Sequence, residues 1–529
     1  MKKALESLKF GVVGQLIVFL QGYFPNATPS IQMHFLIFAL AIFALNKSDT
    51  VRGLYKNCIS KFVDIHINNF YKELQECDFK KDWMEYTIKL AMGIIPETLR
   101  NYPIYLVIDD TIVGKFGTHF DDYSKLHDHC RRNGTDYIFG HCYVTLVMLV
   151  PVYDLKEPGQ VEYIRVPIDH RLWIPKDDRK TEEDERTKLE MAKKMIEELL
   201  EIVKKFGLDN VVIPSNNLNA DIDPEKADTI IHGTPQEASE AALTSFNGLN
   251  ANSSDSTDET GSDAGNDRKL VFIVLCDSWY TKAPITDLLK RTDFKFILVG
   301  AARIDTHINL LPKGEHHGRG RKPIYGEQVK AKTANFEGQW QEIPGEKYKV
   351  VCLRGYCSIF GKREVSVFIT EHKKEGERKV FVCSDPDYFE QFSPETLPID
   401  DKAKAFLSDH REILPLFVYK RRWFIEICYM EQKKYWGLQN YMVRRENSFT
   451  SVVNLNNALY ALTSMLPYLD PAFQFLGKFS IQERRGILGE AIHNGLIFGK
   501  FVRGCEHLEN YDMIHDLAVE FCKATSTVA

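Results

Sequence analysis

The sequence has no excess of positive charge, although it offers 529 residues on which to carry one. Its 67 lysines and arginines are outnumbered by 73 aspartates and glutamates, which gives a formal net charge of −6 at pH 7. This balance excludes a protein that binds nucleic acid over a uniformly basic surface. Any contact with DNA would have to rely on local basic patches.

The sequence also has no CxxC pair and no long hydrophobic run. The spacing of its eleven cysteines excludes a disulfide framework and predicts reduced thiols in a cytoplasmic protein. The apolar runs at 10–24 and 33–45 are too short or too interrupted to supply the roughly 20 residues that cross a bilayer. Neither run precedes a convincing signal cleavage site. We therefore expect no membrane segment.

Hydrophobic spacing and composition divide the chain into several parts. Residues 1–100 have helical spacing, which predicts an N-terminal all-helical domain and a candidate for reading DNA sequence. Residues 215–267 contain eleven acidic residues against one lysine and predict a disordered acidic insertion, with a partner-binding tail as the alternative. The remaining predicted parts are a core at 101–300, a basic arm and β-rich insertion at 301–412, a core helix at 413–460 and a helical C-terminal region at 461–529.

Five buried strands and one amphipathic helix are predicted between residues 101 and 300. The helix covers 181–206, with Thr181 as its N-cap and Gly207 just after its end. It separates the third strand from the fourth, and the strands are predicted at 104–108, 142–150, 161–168, 270–276 and 294–299. This is the element order of an RNase H-like α/β fold, in which the first and fourth strands are adjacent and parallel.

Two of these strands end in acids. The first runs into Asp109, Asp110 and Thr111, and the fourth runs into Asp277. A single aspartate at a strand end is most often a turn residue. Because adjacent parallel strands end at the same edge of a sheet, we expect these carboxylates to lie close together.

A third carboxylate is expected from a helix that begins near Leu416. One narrow face of this helix carries Tyr419, Arg422, Glu426 and Lys433. A charged helix face is usually only a solvated one. An acid beside a phenol, a guanidinium and an ammonium group can also hold a metal-bound phosphodiester. Three carboxylates suit Mg²⁺, and two such ions can activate the attacking oxygen and stabilise the leaving oxygen.

The four helix residues match the Y(2)R(3)E(6)K motif of insertion-sequence transposases of the IS-four family in identity and spacing. Segments 107–111 and 275–280 resemble those that contain the first and second catalytic aspartates of that family. The resemblance covers roughly residues 105–434 and implies a DDE transposase with an RNase H-like catalytic core and a β-rich insertion.

The resemblance also implies roles for individual residues. It implies that Asp110, Asp277 and Glu426 are catalytic and bind two Mg²⁺ ions, for which Mn²⁺ can substitute. It assigns Tyr419, Arg422 and Lys433 to gripping DNA near the cleavage site. The family pattern places the first aspartate directly before a threonine, which selects Asp110, but the doublet leaves Asp109 open.

The activity implied by the resemblance is cleavage of transposon ends followed by transfer of the 3′-hydroxyl ends to target DNA. The implied partners are transposon-end and target DNA, with a homodimer acting on paired ends, in a cytoplasmic, nucleoid-associated protein. Two alternatives remain open. One is an immobile or domesticated nuclease, and the other is a catalytically silent DNA-binding protein.

Two further features concern DNA contacts. The basic segment 303–332 is either a solvated loop or a flexible arm along the DNA backbone, with Arg319, Arg321 and Lys322 as its candidate contacts. We expect Lys420, Arg421, Arg444 and Arg445 to extend the basic surface. Trp279 is expected in the core, with stacking on a displaced base as the alternative.

Overall fold

The computed structural model describes residues 11–45, 49–117, 119–128, 134–179, 187–207, 270–313, 323–391, 397, 399 and 401–504, together with 512, 515, 516, 519 and 520. No helix within these ranges is both long enough and apolar enough to cross a membrane. The predicted acidic insertion at 215–267 and the predicted helix cap Thr181 lie outside the described residues.

Four of the five predicted strands are longer than the apolar runs that predict them. The strands predicted at 104–108, 142–150 and 161–168 extend past their apolar stretches, because antiparallel backbone pairing continues through polar residues. In chain order the strands are Ile104–Gly114 (β1), Ser124–His127 (β2), Tyr137–Tyr153 (β3), Val161–Trp173 (β4), Val271–Cys276 (β5), Lys295–Ala302 (β6), Ile308–Leu310 (β7), Gln328–Val329 (β8), Gln341–Glu342 (β9), Tyr348–Cys357 (β10), Glu364–His372 (β11) and Arg378–Cys383 (β12).

These twelve strands form one large mixed sheet among the described residues. Its order is β2-β3-β1-β5-β6-β12-β11-β10-β7-β8, with β4 beside β3 and β9 beside β10. The pairs β1–β5 and β5–β6 are parallel, and the other pairs are antiparallel. Strands β7 to β12 thus extend the central sheet from the β6 side and enclose a second, smaller hydrophobic core.

Helices cover the sheet and form the N- and C-terminal parts of the described chain. The predicted helical character of the N-terminal 100 residues is confirmed wherever these residues are described. The α-helices are Gly11–Gln21 (α1), Pro29–Ala44 (α2), Val51–Leu54 (α3), Ser60–Phe62 (α4), Ile67–Glu76 (α5), Lys80–Gly93 (α6), Lys188–Lys205 (α7), Pro386–Glu390 (α8), Asp401–Asp409 (α9), Leu414–Tyr419 (α10), Trp423–Tyr435 (α11), Glu446–Leu469 (α12) and Ile481–Gly504 (α13).

Helix α7 shows how local sequence sets a helix boundary. Thr187 and Glu190 form a capping box, in which each side chain bonds to the backbone N–H of the other residue. The helix therefore begins at Lys188, later than the predicted start at residue 181. Gly207 follows its end with a φ of 61°, the left-handed conformation that glycine adopts without strain, as predicted.

The N-terminal and C-terminal helices pack together into one layer. Helix α2 contacts α1, α12 and α13, and its residues from His34 to Phe43 are buried. Arg485 on α13 is 3% exposed, and its Nη2 donates to the carbonyl oxygens of Ile42 at 2.6 Å and Leu45 at 2.8 Å. Its Nη1 donates to the carbonyl oxygen of Tyr435, at the end of α11. One buried guanidinium thus satisfies carbonyls at the ends of two helices.

Arg485→Leu is expected to lower the free energy of unfolding by about 3 kcal/mol, because it leaves buried carbonyl groups without donors. Chemical denaturation of the full chain measures this loss. The matched control is Arg445→Leu, whose side chain is 70% exposed, and this change should stay within about 0.5 kcal/mol. Equal effects of the two substitutions would contradict the stabilising role of Arg485.

Candidate active site

Three acids follow the end of the parallel pairing between β1 and β5. That pairing runs from Ile104 opposite Phe272 to Ile108 opposite Cys276, and the next residues are Asp109 and Asp110 on one strand and Asp277 on the other. The predicted end of the first strand at this point is wrong. β1 continues to Gly114, because antiparallel pairing with β3 maintains its backbone hydrogen bonds.

The side chains of Asp109 and Asp110 leave opposite faces of β1, as alternation along a strand requires. Asp109 lies on the face covered by α11, where its Oδ2 accepts a hydrogen bond from Arg422 Nη1 at 2.8 Å. Asp110 lies on the face covered by the start of α7, where its Oδ2 is 2.8 Å from Lys188 Nζ. The two adjacent acids therefore meet different cations.

Arg422 joins Asp109 to the acid of the predicted motif. Its Nη1 lies 2.8 Å from Asp109 Oδ2 and 3.5 Å from Glu426 Oε1. Burial would lower the pKa of Arg422, but the neighbouring phenol of Tyr419 and the charges of Asp109, Glu426 and Asp277 raise it. The structure thus brings Asp109, Asp277 and Glu426 into electrostatic contact with one guanidinium.

The pKa of Asp109 is strongly perturbed. Burial raises its pKa to about 7, although Arg422 acts to lower it. The nearby charges of Asp277 and Asp110 add to the rise, since like charges disfavour ionisation. Ionisation of Asp109 is therefore costly in the folded protein.

Asp277 also organises the turn that follows β5. Its Oδ1 accepts hydrogen bonds from the backbone N–H groups of Trp279 at 2.9 Å and Tyr280 at 3.1 Å, and its carbonyl oxygen accepts one from the Thr281 hydroxyl at 2.7 Å. Gly300 on β6 permits this packing, since a Cβ there would lie 2.3 Å from Thr281 Oγ1. The turn role and a role in binding a cation are compatible, because both backbone contacts fall on one oxygen.

The helix that carries the motif is interrupted. The sequence predicts one continuous helix, but a 3₁₀ turn at Lys420–Arg422 separates α10 from α11. Tyr419, at the end of α10, packs its ring against Phe381 with centroids 4.9 Å apart. Lys433, near the end of α11, donates from Nζ to Thr111 Oγ1 at 2.6 Å and to the Ile112 carbonyl at 3.0 Å.

A buried polar network positions α11 against the sheet. Gln432 Nε2 donates to Asn457 Oδ1 on α12 at 2.9 Å, and Gln432 Oε1 lies 3.1 Å from His170 Nε2 on β4. His170 Nδ1 in turn lies 2.7 Å from Thr145 Oγ1 on β3, and the register places Thr145 opposite Asp109. Hydrogen bonds thus connect the helix that carries Glu426 to the neighbourhood of Asp109.

The structure corrects two expectations, one of a basic surface residue and one of a core position. Arg421 is 5% exposed and lies over the rings of Tyr105 and Tyr163, so it stabilises the core and does not extend a basic surface. The 3₁₀ turn directs this side chain inward. Trp279 is 56% exposed, so the expectation of a core position is wrong. The candidate contacts Arg319, Arg321 and Lys322 lie outside the described residues.

The predicted metal site can be tested against the donor atoms present. In the described part of the chain, no three His, Cys, Asp or Glu side chains are arranged to hold a metal ion together. Asp109 and Glu426 nevertheless form an oxygen donor pair around a cationic group, the guanidinium of Arg422. This donor chemistry fits Mg²⁺, which often takes one or two carboxylates and completes its coordination with water and substrate phosphates.

Comparison with known proteins gives a structural match of low similarity. No family model matches the sequence, and no curated protein matches it. The structure of the piggyBac transposase synaptic complex with hairpin DNA matches over 97% of this chain and 84% of that chain, at 9% sequence identity and a TM-score of 0.39. A TM-score this low does not establish a shared fold.

Lys188 and Tyr280 are site residues that the sequence does not reveal as such. Lys188 Nζ and Tyr280 Oη both contact the carboxylate of Asp110, the latter at 3.1 Å. In the sequence, Lys188 is one of several lysines on an amphipathic helix, and nothing distinguishes it. Tyr280 could have been noticed only through its position three residues after Asp277.

Asp109→Asn is expected to alter how stability depends on pH. A carboxylic acid whose pKa is raised in the folded state contributes stability at low pH, and this contribution is lost as the pH rises through the folded pKa, here about 7. The substitution should therefore stabilise the metal-free protein more at pH 8 than at pH 5. Thermal unfolding in the presence of a chelator measures the difference. If the substitution changes stability by the same amount at both pH values, the pKa of Asp109 is not raised.

Proposed function

We propose that this protein is a DDE-type DNA transposase, which cleaves the ends of its element and joins their 3′-hydroxyls to target DNA. One observation carries the proposal. Acids from β1, from the turn after β5 and from α11 come together with Arg422, although they are far apart in the sequence. Two of them, Asp277 and Glu426, are the acids predicted from the motif and strand order.

The sheet order supports the further proposal of an RNase H-like core. Strands β4, β3, β1, β5 and β6 are neighbours in that order, and β1 and β5 are adjacent and parallel. These are the strands predicted as the first and fourth of that fold. Helix α11 packs on β1, so it carries Glu426 to the region where the parallel pairing of β1 and β5 stops and acids follow on both strands.

The residues of the site suggest how DNA would be held. Two Mg²⁺ ions would be shared among Asp277, Glu426 and one acid of the Asp109–Asp110 pair, with each ion taking one or two carboxylates. Bound there, two ions would supply the charge that activates a water or 3′-hydroxyl and stabilises the leaving oxygen. The guanidinium of Arg422 holds Asp109 and Glu426 together and is suited to phosphate oxygens.

Lys433 and Tyr419 border the acids on the same side of β1. Lys433 places its ammonium beside Thr111, two residues beyond Asp109 and therefore on the same strand face. The ring of Tyr419 lies within electrostatic reach of Arg422, Asp277 and Asp109, and burial raises its pKa, which keeps the phenol protonated as a hydrogen-bond donor. Both groups suit contacts to the DNA backbone, which position DNA without reading its sequence.

Transposition further implies a homodimer on paired transposon ends, target DNA as a second substrate and a nucleoid-associated protein. An immobile or domesticated nuclease with the same acids is the alternative. Inverted repeats on both sides of the gene would favour the transposase. A gene without flanking repeats, whose product still cleaves DNA with Mg²⁺, would favour the nuclease.

Asp277→Asn is expected to abolish cleavage of duplex DNA that carries the end of the element, with a loss of at least about a thousandfold. Asparagine keeps the oxygen that accepts from Trp279 and Tyr280, so the turn should survive while the negative charge is removed. Cleavage of labelled DNA with Mg²⁺ and binding measured by fluorescence anisotropy separate chemistry from affinity. The control Asp287→Asn changes an acid on the 3₁₀ turn Ile285–Lys290 and should leave cleavage unchanged. Full cleavage by the Asp277 variant would refute its assignment.

Lys433→Ala is expected to weaken DNA binding about tenfold at low salt and to reduce the salt dependence by about one phosphate contact. Fluorescence anisotropy at several salt concentrations measures both quantities. The control is Lys290→Ala on the 3₁₀ turn Ile285–Lys290, where the lysine side chain is 79% exposed and pairs with Asp287. Unchanged affinity and salt slope for the Lys433 variant would contradict this use of the α11 face.

A further inference from the structure

The two adjacent acids on β1 have different surroundings, although the sequence makes them look equivalent. Asp109 shares its strand face with α11, Arg422 and Glu426. Asp110 faces Cys142 on β3 and Lys188 on α7. A ligand that contacts Glu426 can also reach Asp109, because both lie on the same face of β1. The side chain of Asp110 lies on the opposite face of the sheet.

Both oxygens of Asp110 are already engaged by the protein. Oδ2 lies 2.8 Å from Lys188 Nζ and accepts from Cys142 Sγ at 3.5 Å, while Oδ1 accepts from Tyr280 Oη at 3.1 Å. Lys188 is itself held, with its Nζ 4.5 Å from the ring centroid of Trp173. Asp109 is also engaged, by Arg422 and by the backbone N–H of Asp110, but its cationic partner is shared with Glu426.

Tyr280 connects this cluster to the turn that holds Asp277. Its side chain is completely buried, its hydroxyl donates to Asp110, and its backbone N–H donates to Asp277 Oδ1 at 3.1 Å. The chain of contacts Lys188–Asp110–Tyr280–Asp277 thus links α7 and β1 to the carboxylate at the end of β5. Such contacts behind a ligand commonly set its orientation.

We propose that Asp109, rather than Asp110, is the first carboxylate of the acid site, and that Asp110 is a positioning residue that acts through Tyr280 to orient Asp277. This inference rests on the proposed function, because it divides roles among the acids of that site. It reverses the choice that the order Asp-Asp-Thr suggests. Lys188 belongs to the same positioning cluster, since it holds Asp110 from the opposite side.

The test is a titration of the full chain with Mn²⁺ alone. Binding is measured by calorimetry or by the electron paramagnetic resonance signal of the free ion. Asp109→Asn should lower Mn²⁺ affinity more than a hundredfold. Asp110→Asn, Tyr280→Phe and Lys188→Met should each lower it about 10- to 100-fold, the usual range for residues that orient ligands. Lys188→Arg should restore affinity to within about threefold, because it keeps the charge that Asp110 requires.

A double variant separates positioning from general destabilisation. Asp110→Asn combined with Tyr280→Phe should bind Mn²⁺ no more weakly than the weaker single variant, because both changes break the same link. The matched control Tyr153→Phe removes a hydroxyl that bonds to Thr98 elsewhere in the molecule and should leave Mn²⁺ affinity unchanged. Lower melting temperatures of the cluster variants with undiminished Mn²⁺ affinity would reduce the cluster to a structural role and overturn the proposal.

Each remaining outcome has a distinct meaning. Loss of Mn²⁺ binding in Asp110→Asn, with normal binding in Asp109→Asn, would overturn the division of roles and leave the proposed transposase intact. Full cleavage of element-end DNA by both variants would instead refute the proposed function. If the unsubstituted chain fails to bind Mn²⁺ both in the absence and in the presence of end DNA, the division of roles and the proposed function are both overturned.

Discussion

The parallel pairing of β1 with β5 is the constraint on which the rest of the site depends. The parallel pairing stops at Ile108 and Cys276, so the acids that directly follow these two residues lie side by side. Burial there raises the pKa of Asp109 to about 7, and the neighbouring charges of Asp277 and Asp110 add to the rise. Ionisation is therefore costly for the protein alone, and under the proposed function a bound cation would offset this cost.

Arg422 supplies a cation from the protein itself, and a short 3₁₀ turn makes this possible. Between α10 and α11 this turn sends the neighbouring arginines in different directions. Arg421 enters the core, where its guanidinium lies 4.1 Å from the ring centroid of Tyr163, whereas Arg422 reaches Asp109 and Glu426. In a continuous helix, Arg421 and Arg422 would differ in direction by only about 100°. That difference alone would not place Arg421 among aromatic rings in the core.

The position of α11 depends on residues far from the acids. Gln432 and His170 join α11 to β4 inside the protein, and Arg485 bonds to the carbonyl of Tyr435 at the end of α11. Arg485 belongs to α13 and also bonds to α2, so the N- and C-terminal helices both support the helix that carries Glu426. The geometry at the acidic edge is therefore a property of the whole core, since buried polar contacts of this kind fix one arrangement of packed elements.

The sequence alone determined the strands of the first part, the helical termini, and two of the three proposed acids, because apolar periodicity and residue spacing are local properties. It could not decide between Asp109 and Asp110, since their roles depend on which helix covers each face of β1. The sequence also could not predict that Arg421 is buried, that Trp279 is exposed, or that Lys188 and Tyr280 contact Asp110. These depend on packing between elements more than 70 residues apart in the chain, and only the tertiary structure brings those elements together.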